Sequence, residues 1–274
     1  MGTILTLLLI GICIFTDVRY IEPKLLTVKE QEIITNKLIL KEPLKFVQFS
    51  DVHLGKDYTL GDFKKVVSKI NALEPDLIIF TGDLIDNNKS FTQEEGTIAL
   101  LKALQATYGK FAVYGNHDHG GNGTKRYARI MAQSDFTLLK DASKQVTLSD
   151  GQKLRVIGID DIVLGRPDIQ KTLKEVSANT FNLFISHAPD VVERVKNYAL
   201  DLQLSGHSHG GQVRIPFLGA PFTPPYGEEY VKGFYQIEES SGMCLYVNSG
   251  IGTSQVPYRF MNLPEITLLY IKNE

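Results

Sequence analysis

Five short polar clusters, each placed directly behind an apolar run of strand type, constrain this chain more than any other feature. They are Asp51-Val52-His53, Gly82-Asp83, Gly115-Asn116-His117-Asp118, His187 and Gly206-His207-Ser208-His209. The runs ahead of them are residues 45–50 (KFVQFS), 76–81 (DLIIFT), 110–114, 181–186 and 202–205. Between the first runs lie stretches with helical spacing. In 60–73 the apolar residues Phe63, Val66, Val67 and Ile70 share one face, and 92–106 and 125–133 read the same way. A β-α-β-α-β order implies parallel strands with helices packed outside them. In an open sheet of this kind, sites form beyond the carboxyl ends of the strands. The clusters fall at those ends each time.

The rest of the chain predicts further elements. Strands are expected at 145–148 and 154–159, and helices at 169–177 and 190–198. Mostly β structure follows, at 233–237, 243–248 and 266–271. This late β-rich part predicts a second sheet packed on the first. With 274 residues and 43% hydrophobic content, the chain can bury one sizeable core. The expected organisation is a hydrophobic anchor or signal segment at 1–20, a connector with an edge strand at 21–43, and one catalytic domain at 44–274.

The apolar run at residues 3–15 carries no charge. It is shorter than the roughly 20 residues a bilayer-spanning helix needs. No Lys or Arg precedes it and no small-residue cleavage site follows before Asp17, so an uncleaved membrane anchor is the expectation. Arg19 and Lys24 follow the run and, counted alone, draw the domain to the cytoplasm. Upstream basic residues behind a different start would reverse that count. The localisation expected is a single-pass anchor in the cell membrane with the catalytic domain on the envelope side. The net charge of -2 gives no basic excess for general nucleic-acid binding. Cys13 and Cys244, the two cysteines, are expected to be free thiols.

Taken singly, each polar cluster has an ordinary explanation. An Asp-x-His after a strand is a turn with a satisfied histidine, and Gly-Asp is a turn signal. A Gly-His-x-His is a moderate metal signal. Together they are harder to dismiss, because five of the six histidines lie in them, and the sixth, His119, follows at once. Polar groups gathered at one sheet edge without a cation would go unpaired, at about 1–3 kcal/mol each.

The order D-x-H, G-D, G-N-H-D, H, G-H-x-H, from Asp51 to His209, resembles the calcineurin-like metallophosphoesterase superfamily. GHSHGGQ at 206–212, GIGTS at 250–254, PYRF at 257–260 and Pro264-Glu265 are similar to the bacterial YkuE/YaeI-type, membrane-associated branch. The resemblance covers about residues 20–274. It implies an α/β fold, a four-layer α/β/β/α sandwich. It also implies a dinuclear hydrolase of phosphate esters that works by in-line attack of a metal-bridging hydroxide. By the same resemblance Asp51, His53 and His209 bind one metal, Asn116, His187 and His207 bind the other, and Asp83 bridges them. His117, next to a ligand, is the implied acid or transition-state stabiliser. In the protein Ser/Thr phosphatases a similar stretch, GDxxDRG, has a second Asp that orients the catalytic histidine. Asp86 matches it, but Asn87-Asn88 replaces Arg-Gly, which removes a phosphate-binding arginine and argues against a phosphoprotein substrate.

Arg259 and Arg214 are candidates for phosphate contact, since a guanidinium suits bidentate phosphate recognition. The Pro-rich stretch 216–225 carries Phe217, Leu218 and Phe222, with Tyr226 next, and reads as a packed loop or as one facing lipid or substrate. Two divalent ions are expected; the oxygen and nitrogen ligand set admits manganese, iron or zinc, and manganese is favoured. The expected substrate is a phosphodiester or pyrophosphate linkage of a membrane- or envelope-associated molecule, such as a lipid-linked phosphate. The alternative is a soluble nucleotide or small phosphomonoester. A non-catalytic metal-binding scaffold would need a missing ligand, and none is missing.

Overall fold

The computed structural model describes residues 2–273 as two six-stranded sheets covered by helices, with an apolar helix leading in. The leading helix α1 (Gly2–Thr16) has no buried residue. It runs on through a π-helical turn, Asp17–Ile21, and a 3₁₀ turn, Glu22–Lys24. The continuous helical stretch Gly2–Lys24 is thus 23 residues, long and apolar enough to cross a membrane. That exceeds the uncharged run in the sequence, because polar residues from Asp17 on extend the helix while packing on the domain.

The first sheet is built from β1 (Thr27–Ile34), β2 (Leu44–Phe49), β3 (Leu77–Phe80), β4 (Lys110–Ala112), β5 (Phe136–Leu138) and β12 (Glu265–Lys272). Its order is β1-β12-β2-β3-β4-β5. Strands β2 to β5 are parallel, β12 runs antiparallel to β2, and β1 lies parallel to β12 at the edge. The second sheet has the order β10-β11-β9-β8-β7-β6. Its strands are β6 (Ala142–Thr147), β7 (Lys153–Gly158), β8 (Phe181–Ile185), β9 (Leu202–Ser205), β10 (Gly233–Gln236) and β11 (Cys244–Val247). Here β7, β8, β9 and β11 are parallel, and β6 and β10 flank them antiparallel.

Three apolar layers hold these parts together. Phe63, Val66, Val67 and Ile70 of α2 (Leu60–Asn71) pack with Phe49, Ile78 and Phe80 on the outer face of the first sheet. Helix α3 (Glu94–Lys102) covers the same face, as does α5 (Thr124–Gln133); between these two in the chain lies the short α4 (Asn116–His119). Phe46, Ile79, Phe111, Phe181, Leu183 and Leu204 fill the space between the sheets. Ile157, Phe184, Leu245, Val192 and Val195 join the second sheet to α7 (Val192–Val195), with α6 (Ile169–Leu173) beside it. The result is an α/β/β/α sandwich. The parallel runs β2–β4 and β8–β9 place all five polar clusters at one edge of the two sheets.

Candidate metal centre

The loops that carry the clusters are shaped by backbone strain. Asp51, His53, Asp83, His207 and His209 all have positive φ, between 48° and 68°. That left-handed region is sparsely populated, though Asp and His tolerate it better than bulkier residues. Such strain persists only where its surroundings impose it, and it collects at functional sites. The loops clasp one another through main-chain bonds: Asp51 N–H donates to Gly82 O (2.9 Å) and His53 N–H to Asp83 O (3.2 Å). Across the sheets, His207 N–H donates to both oxygens of the Asp51 carboxylate, at 3.2 and 3.0 Å. This approach needs glycine at 206, where a Cβ would collide with Ser50 Oγ and the Asp51 carboxylate.

Three overlapping groups of side chains result. Asp51, His53 and His209 form one, Asp83, His187 and His207 a second, and His53, Asp83 and His117 a third; in each group the ligand atoms lie within 4.8 Å of one another. One Asp83 oxygen accepts the His117 N–H at 2.8 Å. Its other oxygen, Oδ2, lies 3.3 Å from His187 Nε2 and 3.6 Å from His53 Nε2. Asp83 therefore faces both halves of the site with a single oxygen. His187 Nδ1–H donates to Thr81 O at 2.7 Å, and His207 Nε2–H to Pro225 O at 2.9 Å. Those bonds fix the tautomers and leave a lone pair of each ring pointing inward.

The donor set fits two cations on observations of the molecule itself. His53 Nε2 meets His209 Nε2 at 3.1 Å, and His187 Nε2 meets His207 Nδ1 at 3.1 Å. With the tautomers of His187 and His207 fixed on Thr81 and Pro225, their inward nitrogens are both acceptors in the neutral rings and repel at that range, and a cation between them removes the conflict. The Asn116 Oδ1 is buried and has no partner, a position that suits a ligand oxygen. Electrostatics agree. Burial drives the His53 and His187 pKa values down, yet the carboxylates around them more than reverse this, to about 9 for His53 and about 10 for His187. Burial pushes His209 down to about 3, even against the pull of Asp51. The pocket is thus negative enough to collect positive charge, and it would take protons where no metal binds.

His117 lies at the rim. Its ring meets that of His53 edge-on, with centroids 4.6 Å apart. His117 Nδ1 pairs with the main-chain oxygen of Asp86 at 2.8 Å, whereas the Asp86 carboxylate is 4.0 Å away. That carboxylate is nearer His53 Nδ1, at 3.6 Å, and the His53 imidazole holds it below the ordinary range. His117 Nε2 is left facing Ser254 Oγ, at 3.5 Å. Asn88 amide donors reach His117 O (2.7 Å) and Gly120 O (3.1 Å), so the departure from the Arg-Gly pattern braces the loop of His117. Arg259 is placed differently from the expectation of phosphate contact. It is fully buried, and its guanidinium donates to the main-chain oxygens of Ser249, Gly250, Gly252 and Asn262. It braces loops rather than offering donors to a substrate. Arg214 is half-buried, with one guanidinium nitrogen donating to Gly210 O at 3.0 Å.

Three supporting groups have no role that the sequence alone makes evident. Asp118 is buried and accepts from the N–H groups of Asp83 (2.8 Å), Leu84 (3.0 Å) and Gly115 (2.8 Å). Its place in the G-N-H-D cluster, three residues after a glycine, is the capping-box spacing that could have revealed it. Asn262 Nδ2 donates to His209 O at 2.6 Å, and Glu22 Oε1 accepts from Asn262 N–H at 2.5 Å. No local pattern joins residues that far apart in the chain.

A two-sheet sandwich whose one edge gathers this ligand set defines a class, and the family comparison agrees: residues 44–211 match the calcineurin-like phosphoesterase family, to which the chain belongs. It is a metal-dependent hydrolase of phosphoric ester bonds. Among its relatives, the metallophosphoesterase YkuE of Bacillus subtilis is 42% identical over 257 residues, covering 93% of this chain and 88% of that protein. UDP-2,3-diacylglucosamine pyrophosphatase LpxG of Chlamydia trachomatis is 28% identical over 320 residues, covering 98% of this chain and 96% of its own. A crystal structure of TT1561 from Thermus thermophilus is similar at a TM-score of 0.49 and 13% identity, covering 76% of this chain and 90% of that one.

Proposed function

We propose that the enzyme hydrolyses a phosphodiester or pyrophosphate linkage in an amphiphilic, membrane-associated substrate, using two divalent cations of which manganese is the first choice. In this reading Asp51, His53 and His209 hold one cation, Asn116, His187 and His207 hold the other, and Asp83 spans both. Bound there, the cations supply positive charge to the phosphoryl oxygens and an ionised water as nucleophile. The chain's own residues do the rest. His117 keeps Nδ1–H on the Asp86 carbonyl, so Nε2, beside Ser254 Oγ, is the atom that would hand a proton to a leaving oxygen. Asp86 positions this pair and adds negative charge beside His53.

The observation that carries the substrate reading is the join between the apolar helix and the metal centre. Arg259 N–H donates to Val18 O at 3.0 Å, and Glu22 reaches His209 through Asn262. An anchor that feeds straight into the loops of a catalytic edge keeps that edge close to a membrane. The name of the pyrophosphatase relative, whose substrate carries two acyl groups, points the same way. In this reading residues 1–20 anchor the chain, 21–43 connect and add an edge strand, and 44–274 form the catalytic domain, on the envelope side. Arg19 and Lys24, which pair with Asp57 at 2.6 Å and Asp62 at 2.7 Å, count toward the cytoplasmic side when taken alone, and the envelope side rests on the amphiphilic-substrate reading.

A substrate panel tests the proposal. The manganese-loaded full chain in detergent micelles is expected to give a higher kcat/KM on acylated sugar-nucleotide diphosphates and lipid-linked diphosphates than on their soluble, deacylated counterparts. Equal rates on both, or a preference for soluble nucleotides and phosphomonoesters, would favour the alternative.

A further inference from the structure

One loop beside the site exposes what a soluble surface normally covers. Residues 215–226 read IPFLGAPFTPPY. Phe217, Leu218 and Phe222 are 108%, 79% and 85% exposed. A lone exposed apolar residue needs no explanation, but several on one loop mark a contact surface. The loop is held in shape. Ile215 N–H donates to Gly219 O (2.8 Å), and the Leu218 (3.1 Å) and Gly219 (2.9 Å) N–H groups donate to Ile215 O. This tight turn puts Phe217 and Leu218 at its tip. Its far end is bonded to the metal centre, since Pro225 O accepts from His207 Nε2.

The loop also continues the surface that begins at the apolar helix. Residues 212–214 pair with Phe260, through Phe260 N–H to Gln212 O (3.2 Å) and Arg214 N–H to Phe260 O (2.9 Å). The same 256–261 segment meets the end of the helix: the Tyr258 ring lies 6.3 Å from that of Phe15, and Arg259 bonds Val18. It adds exposed Val256 and Met261 to the set. Exposed apolar side chains thus run from α1, across 256–261, to the tip at 217–222.

We infer that the 215–226 loop is a second membrane contact, with Phe217, Leu218 and Phe222 inserted in the bilayer surface from which α1 emerges. The inference rests on the anchor reading of that helix. It gives the helix's join to the centre a purpose: two contacts, one on each side of 256–261, fix the tilt of the domain and turn the His207 side of the site toward lipid headgroups. A bilayer suits the patch better than a second copy of the chain. The two rings Phe217 and Phe222 cover about 150–250 Å² each, so the loop tip falls short of the roughly 800 Å² per partner of a stable interface, and its exposed apolar surface runs on through Val256 and Met261 to the exposed helix α1.

The absence of tryptophan from the chain allows a direct test. Single-tryptophan variants F15W, F217W, F222W and I39W of the full chain are reconstituted in phosphatidylcholine–phosphatidylglycerol vesicles, with and without brominated acyl chains. Ile39 is 80% exposed and bonds Gln152 in the turn before β7, at the opposite end of the parallel strands. The expected result is that F15W, F217W and F222W lose most of their emission to the brominated lipid while I39W keeps its own. Quenching of F15W without F217W and F222W would overturn the loop contact and leave the anchor standing. Quenching of F217W and F222W without F15W would support the loop and remove the anchor. Blue-shifted F217W emission that bromine does not quench, and that grows with protein concentration, would mean a second copy covers the patch and would overturn the proposal.

Discussion

Asp51, His53, Asp83, His187 and His209 are buried together, whereas Phe217, Leu218 and Phe222, on a loop bonded to the same centre, stand in the open. Each region reverses the ordinary division between polar surface and apolar core. Each carries a cost that the protein alone does not offset: unpaired acceptors in one, unburied apolar area in the other. The two reversals differ in how tightly they are built. The buried one is held by strained backbone, fixed tautomers and cross-sheet bonds, as a cation site with defined geometry requires. The exposed one is held only at its turn and its ends, as contact with a fluid surface allows. The difference teaches that missing partners leave distinct signatures, geometric for an ion and areal for a lipid.

The largest effect is expected at the residue that faces both halves of the buried region. Asp83→Ala should lose metal and activity together, with hydrolysis falling to background and bound metal falling in elemental analysis. Full metal content in an inactive Asp83→Ala protein would mean that the halves do not depend on that carboxylate.

His117→Ala should separate chemistry from assembly. It should keep its metal and lose about 10²–10⁴-fold in rate, the usual worth of a proton donor. The loss should be smaller on bis-nitrophenyl phosphate, whose leaving group needs little protonation, than on an alkyl diester. Equal fractional losses on both, where chemistry limits the rate, would assign His117 to charge stabilisation instead.

Smaller effects probe the supports. Asp118→Ala leaves three buried N–H groups without an acceptor, and urea unfolding should show a loss of about 3 kcal/mol or more. A loss below about 1 kcal/mol would show that water replaces the carboxylate. Asn262→Ala removes the bond to His209 O but keeps the main-chain bond to Glu22; it should weaken metal binding by about 10-fold, the lower end for a group that orients a ligand, and cost about 1–3 kcal/mol in urea for the carbonyl left unpaired. An unchanged metal Kd would show that the bond from Asn262 to His209 O braces the fold and not the centre.

Much of this design was legible in the sequence, for reasons that differ by region. The clusters at 51–53, 82–83, 115–118, 187 and 206–209 stood out because a strand end is a local feature and histidine is scarce. The two sheets were legible as early β-α-β and late β-rich texture. Where each strand belongs was not. β12 crosses back to lie between β1 and β2 in the first sheet, a pairing over more than 200 residues that no window detects. The three-residue strand β5 is too short to show a period. Helices expected at 169–177 and 190–198 shrink to α6 (Ile169–Leu173) and to a 3₁₀ turn, Pro189–Val191, followed by α7 (Val192–Val195). Arginine chemistry pointed Arg259 toward phosphate, but its bonds to four main-chain oxygens depend on how distant loops converge.

The most direct test of the central claim is the number of cations the buried region takes. The full chain, stripped of metal and titrated with manganese, is followed by calorimetry and by elemental analysis after dialysis. Two ions per chain are expected, with activity appearing only as the second site fills. One ion per chain with full activity would contradict a site in which Asp83 serves two metals.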